Sequence, residues 1–77
     1  MKNIQTIALN TSIARSTNLA KMYKDNDRSE MYNIFAEMLI EDVTIKAKMD
    51  IGQELTRFEQ IHLEAVVRQF KKDVAEA

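Results

Sequence analysis

The chain has 77 residues, enough for one domain at most, and no cysteine, which excludes disulfide staples, thiolate metal sites and thiol catalysis. A domain this short hides only about 60% of the surface that its unfolded chain exposes, so its core is expected to be thin. The formal net charge of −1 sets it apart from the clearly basic domains typical of nucleic-acid binding.

That small net charge is unevenly laid out. Residues 1–24 hold Lys2, Arg15, Lys21 and Lys24 with no acid, whereas residues 25–42 hold Asp25, Asp27, Glu30, Glu37, Glu41 and Asp42 against Arg28 alone. The expectation is that basic head and acidic middle attract each other within one fold or across a dimer. The alternative is an anionic partner for the head. No run reaches the roughly 18 apolar residues of a membrane span, and no compact apolar signal core opens the chain. A cytoplasmic setting without membrane contact is expected, and the Asn10-Thr11-Ser12 sequon then carries no weight.

Residues 1–24 are rich in Asn, Thr and Ser, mediocre helix formers. Ile4, Ile7, Ala8, Ala14, Leu19 and Met22 can still share a helical face, from which Leu9, Ile13 and Tyr23 fall away. The alternative is a strand over residues 4–9, followed by a helix capped at Thr11 or Ser12. Helix is preferred, because a lone strand would have no partner in the remaining helical sequence.

A middle helix is predicted over 27–49. Asp27 and Glu30 have capping-box spacing, apolar residues recur at helical intervals from Met31 to Ile45, and Asp42 with Lys46 forms an i, i+4 pair. Met49-Asp50-Ile51-Gly52 reads as the stop, with Gly52 available for a left-handed closing residue. Gly52 is the only glycine and proline is absent, so an all-β fold is close to excluded.

A C-terminal helix follows over 55–75. Two starts compete for it, Asp50 with Gln53 and Thr56 with Glu59, and Glu64 with Arg68 is expected to pair on its solvent side. The fold predicted is therefore all-α: one domain over 1–77, a three-helix bundle with a long antiparallel C-terminal hairpin, dimeric or higher.

Four ionisable groups interrupt the apolar faces. Asp42 and Lys46 fall inside the middle helix's arc, and Glu59 and His62 inside that of the last. Such groups are costly to bury unless paired, hydrogen-bonded or metal-bound. Counting outward from a turn near Ile51 sets Asp42 opposite Glu59 and His62, which favours a polar network fixing the register between helices. Glu59-x-x-His62 also has metal-ligand spacing, and a two-fold dimer would supply Asp42, Glu59 and His62 twice; Lys46 would oppose a cation there. No resident metal or other cofactor is expected.

A lone histidine, no Gly-rich phosphate loop and little room for a pocket argue against an enzyme. Both long helices are apolar over more of their circumference than one small core requires, and Met22, Met31, Met38 and Met49 suit an adaptable surface. The function expected is that of a small non-enzymatic interaction protein, an oligomerising adaptor, regulator or inhibitor of a larger machine. It would bind itself and another protein through Phe35, Met38, Leu39, Asp42, Phe58, Glu59, His62, Val66 and Phe70.

With residues 4–9 as a strand, the order strand, helix, turn, helix resembles the ribbon-helix-helix DNA-binding family, and Asn26-Asp27-Arg28-Ser29-Glu30-Met31-Tyr32 is similar to the start of that family's second helix. The resemblance implies a dimeric transcriptional regulator laying a two-stranded ribbon in the major groove. Gln5 with Lys2 or Asn3 would read bases, and Arg28 and Ser29 would approach phosphates. Arg15, Lys21 and Lys24 complete the cations available to nucleic acid.

Overall fold

A computed structural model describes residues 3–26 and 28–76. It contains three helices, α1 (Ile4–Asp25), α2 (Ser29–Asp50) and α3 (Arg57–Glu76), and no strand among those residues. The readings placed on Lys2 and Asp27 lie outside the described residues.

The segment weighed as a strand is helical throughout. Asn3 caps α1, its side-chain oxygen accepting from the Thr6 N–H at 2.9 Å, and Lys24 in the last turn complements the helix dipole. Thr11 and Thr17 donate their hydroxyls to the carbonyls of Ile7 and Ile13, satisfying themselves within the helix. Neither Thr11 nor Ser12 serves as a cap.

The inward face of α1 differs from the one predicted. Ala8, Leu9, Ser16 and Ala20 are buried, while Ile4, Ile7 and Met22 stay exposed. Small side chains at positions 8, 16 and 20 let α1 lie close along α2, and that closeness decides the rotation over the count of large apolar residues.

Arg28 occupies the α2 N-cap position without a side-chain cap bond, and Glu30 faces the dipole in the first turn. The other end closes as predicted. Gly52 takes φ +73°, the Gln53 N–H reaches the Lys48 carbonyl at 2.8 Å and the Gly52 N–H that of Met49 at 3.2 Å, the two bonds of a Schellman stop. Of the competing starts for α3, Thr56 and Glu59 form the capping box: the Thr56 N–H donates to Glu59 Oε1 at 2.8 Å and the Glu59 N–H to Thr56 Oγ1 at 3.2 Å.

Leu9, Ile45 and Leu63, one from each helix, make the buried centre, with Met49, Leu55, Val66 and Val67 packed against it. Of the three helix pairs, α1 with α2 is the most intimate, and α2 with α3 approach each other least. The α2–α3 pair, predicted to meet closely, is thus joined at the apolar centre and by polar side chains reaching across.

The molecule is open for its size. Its accessible surface of 5786 Å² exceeds the roughly 4800 Å² of a compact monomer of this mass. The radius of gyration, 13.1 Å, likewise exceeds the about 11.5 Å of a compact 77-residue domain. Ile34, Ile40, Val43, Ile51, Phe58 and Ile61 all stand exposed on the surface. No helix among the described residues is long and apolar enough to cross a membrane.

Candidate functional site

Asp42 is the residue at which the three helices meet. Its side chain is 0% exposed, and a carboxylate can only accept hydrogen bonds. Ser12 of α1 donates its hydroxyl to Oδ2 at 2.5 Å, and His62 of α3 presents Nε2 to Oδ1 at 2.6 Å. With Asp42 ionised, the Nε2 position carries a proton. Glu41 stands 3.7 Å from Nδ1 on the ring's other side. Among the described residues no buried side-chain polar atom lacks a partner, so this node meets the requirement for burying a charge.

Of the four-residue network predicted, only the Asp42–His62 contact is present. Lys46 is absent from it, and Asp42 bonds to Ser12 and His62 rather than to Lys46. Lys48 takes the cationic role instead, its Nζ 2.7 Å from Glu59 Oε1. Lys48 lies near the end of α2 beside the start of α3, within reach of the cap that already orients Glu59. The Lys48 ammonium, then the Thr56 N–H, hold the Glu59 carboxyl below its ordinary value of 4.5, against an opposing contribution from burial.

Chemically, the node is built to bind helices together. Ser12 donates its hydroxyl to an Asp42 carboxylate that is shared with His62, so one acidic side chain ties α1 and α3 to α2. Glu59 is engaged with Lys48 and Thr56, apart from the Asp42–His62 pair. Among the described residues no group of three potential ligands is arranged to hold a metal ion.

Above this node lies an apolar groove of 440 Å³, within the about 300–1,000 Å³ typical of ligand sites. It runs where α2 and α3 stay apart. α1 contributes Ala8, Ser12 and Ser16, α2 contributes Phe35 and Met38, and α3 contributes Ala65, Val66 and Phe70. Tyr23 stacks on Phe35 with ring centroids 5.6 Å apart, which steadies one side. Polar lining comes from Glu41, His62, Gln69 and the Arg15–Asp73 pair at 2.6 Å.

No family model matches the chain, and neither a curated protein nor a solved structure matches it. Its functional reading therefore rests on the groove, the node and the exposed faces.

Five of the predicted interface residues, Phe35, Met38, His62, Val66 and Phe70, line the groove, and Asp42 supports His62 from below. The other three are elsewhere: Leu39 is half-buried outside it, Glu59 belongs to the cap, and Phe58 is 82% exposed. Ser12, Ser16 and Glu41 were not anticipated. The i, i+4 recurrence of Ala8, Ser12, Ser16 and Ala20 is the signal that marks the two serines; no pattern marks Glu41.

The cations assigned to nucleic acid are not gathered. Arg15 is committed to Asp73, whose carboxyl it holds below the usual range with help from Gln69. Among the described residues the basic head's ion pair, Arg15–Asp73, goes to α3 and not to the acidic middle as charge alone suggests. Lys24 caps the α1 dipole, while Gln5, Lys21 and Arg28 are exposed.

Ser12→Ala should cost about 1–3 kcal/mol by leaving Asp42 Oδ2 without its donor, whereas Thr17→Ala on the exposed face should stay within about 0.5 kcal/mol. Urea unfolding of both variants checks this, and equal effects would contradict the assigned role of Ser12. Because the folded carboxyls of Glu59 and Asp73 lie below their ordinary values, their stabilisation is complete above those values and is lost as pH falls through the lowered ones. Thermal unfolding from pH 7 to pH 3 should accordingly show an acid loss that Lys48→Met makes shallower; an unchanged profile in that variant would contradict the Lys48–Glu59 coupling.

Proposed function

We propose that this chain is a small non-enzymatic interaction protein that assembles with itself as a dimer or higher oligomer and receives an amphipathic helix from a larger protein. It would act as an adaptor, regulator or inhibitor, in a cytoplasm where the lack of cysteine is no handicap. The observation that carries this reading is the groove between α2 and α3. Two aromatic residues, a methionine and a valine line it, the side-chain types of helix-in-groove recognition, in which anchors at i, i+3 or i+4 and i+7 enter an apolar channel.

The wider context supports the same reading. The surface in excess of a compact monomer is about the area each partner contributes to a standard interface, roughly 800 Å². A long C-terminal hairpin, closed at Gly52 and bridged by Asp42–His62 and Lys48–Glu59, would hold one side of the channel. The ribbon-helix-helix reading is not carried further, because residues 4–9 are helical and leave that ribbon without a strand.

A photo-crosslinking residue in place of Met38 tests the proposal. In cells it should form adducts, mapped by peptide sequencing, with a helical segment of a different protein, several-fold above the same probe at exposed Asn18. Equal adducts at both positions, or adducts only with other copies of this chain, would contradict a partner helix in the groove.

A further inference from the structure

The groove carries a charge that its own lining does not balance. Arg15 and Asp73 cancel each other at 2.6 Å. Glu41 has no such partner: 44% of its side chain is open, and among the described residues neither a lysine nor an arginine pairs with it. The His62 ring stands 3.7 Å away, beyond hydrogen-bond reach, and its Nε2 is committed to Asp42 at 2.6 Å. Asp42 lies wholly buried beneath that ring. One imidazole therefore faces two carboxylates, and with both ionised the site stays negative whichever protonation state the ring takes. Apolar walls of low dielectric focus that field into the groove.

From this imbalance we infer that the helix received by the groove is a basic amphipathic one, whose lysine or arginine meets Glu41 while its apolar anchors cover Phe35 and Met38. The inference rests on the groove reading proposed above, to which it adds the partner's charge and the place where that charge sits.

The spacing along α2 fixes that place. Phe35, Met38 and Glu41 recur at intervals of three residues and all three line the groove, so they follow one another along one face of the helix. A partner helix lying along α2 matches them with residues three or four apart, two apolar anchors and then the cation. An uncharged residue there leaves Glu41 without a counter-charge as water is excluded, and an acidic one sets two anions together; both weaken binding. Lys46, four residues beyond Asp42, lies outside the lining and does not take the cation's place. An anionic partner is served worse, since Arg15 would have to leave Asp73 to meet it.

A peptide selection tests this. Helices displayed on phage, with apolar residues fixed at i, i+4 and i+7 and the other positions random, are selected on the full chain, with peptides of the chain's own three helices displayed alongside. Binders are then measured on Glu41→Gln and Met38→Arg variants whose folding circular dichroism confirms. The expected binders carry lysine or arginine three or four positions from an anchor about five-fold more often than the unselected library, and lose about five-fold in affinity on Glu41→Gln. Binders without a basic preference that are lost on Met38→Arg would keep the groove as a helix site but overturn the cationic partner. Enrichment of the chain's own helices above all others would make the occupant a second copy and overturn the inference. Binders indifferent to Met38→Arg, or none at all, would overturn both this inference and the groove reading.

Discussion

The structure depends on keeping one carboxylate inside a small protein. Asp42 is wholly buried and, among the described residues, has no guanidinium or ammonium against it. Its two oxygens are served by one residue from each of the other helices, Ser12 and His62. This makes the node a condition on assembly: α1 and α3 must both be docked, in register, before the cost of burying Asp42 is offset. Apolar packing alone would specify this less sharply, since the fully buried apolar side chains of the centre are few and a register slip would exchange one aliphatic contact for another.

A polar node near the linked ends of α2 and α3 also explains the molecule's openness. Beyond the apolar centre, α2 and α3 come together through Asp42 with His62 and Lys48 with Glu59, and of the three helix pairs they approach least closely. α1, lined with Ala8, Ser12, Ser16 and Ala20, fits tightly only against α2. The result is a bundle with one side unfilled, where Phe35, Met38, Val66 and Phe70 border a channel and His62 lies beside Glu41. The histidine that secures the fold thus also lines the surface offered to a partner, so occupation of the groove would bear directly on the bond to Asp42.

Legibility in the sequence followed the range of the forces. The stop at Gly52 and the Thr56–Glu59 cap were readable because each is completed within a few residues by backbone donors and a fixed spacing. The pairing of Asp42 with His62 was readable because a short turn fixes which residues of a hairpin face each other. Harder was the rotation of α1: counting large apolar residues pointed to Ile4, Ile7 and Met22, while the structure buries Leu9 and a row of small residues whose value lies in how near they let a neighbouring helix come. The exchange of Lys46 for Lys48 has a similar origin, since helical period puts Lys46 nearer the apolar arc but only Lys48 lies beside the cap that presents Glu59. Arg15 looks like a free cation in the sequence because its partner, Asp73, is 58 residues away along the chain, where no local pattern reaches.

The most direct measurement is a double-mutant cycle between positions 42 and 62, using Asp42→Leu, His62→Leu and the pair together, read by urea unfolding. His62→Leu alone, which strands the buried carboxylate, should lose about 3 kcal/mol. The double variant should then recover much of that loss, with a coupling of at least about 1.5 kcal/mol and Ser12 free to turn its hydroxyl back to its own helix. Additivity of the two single changes to within about 0.5 kcal/mol would contradict the claim that the fold is organised around Asp42.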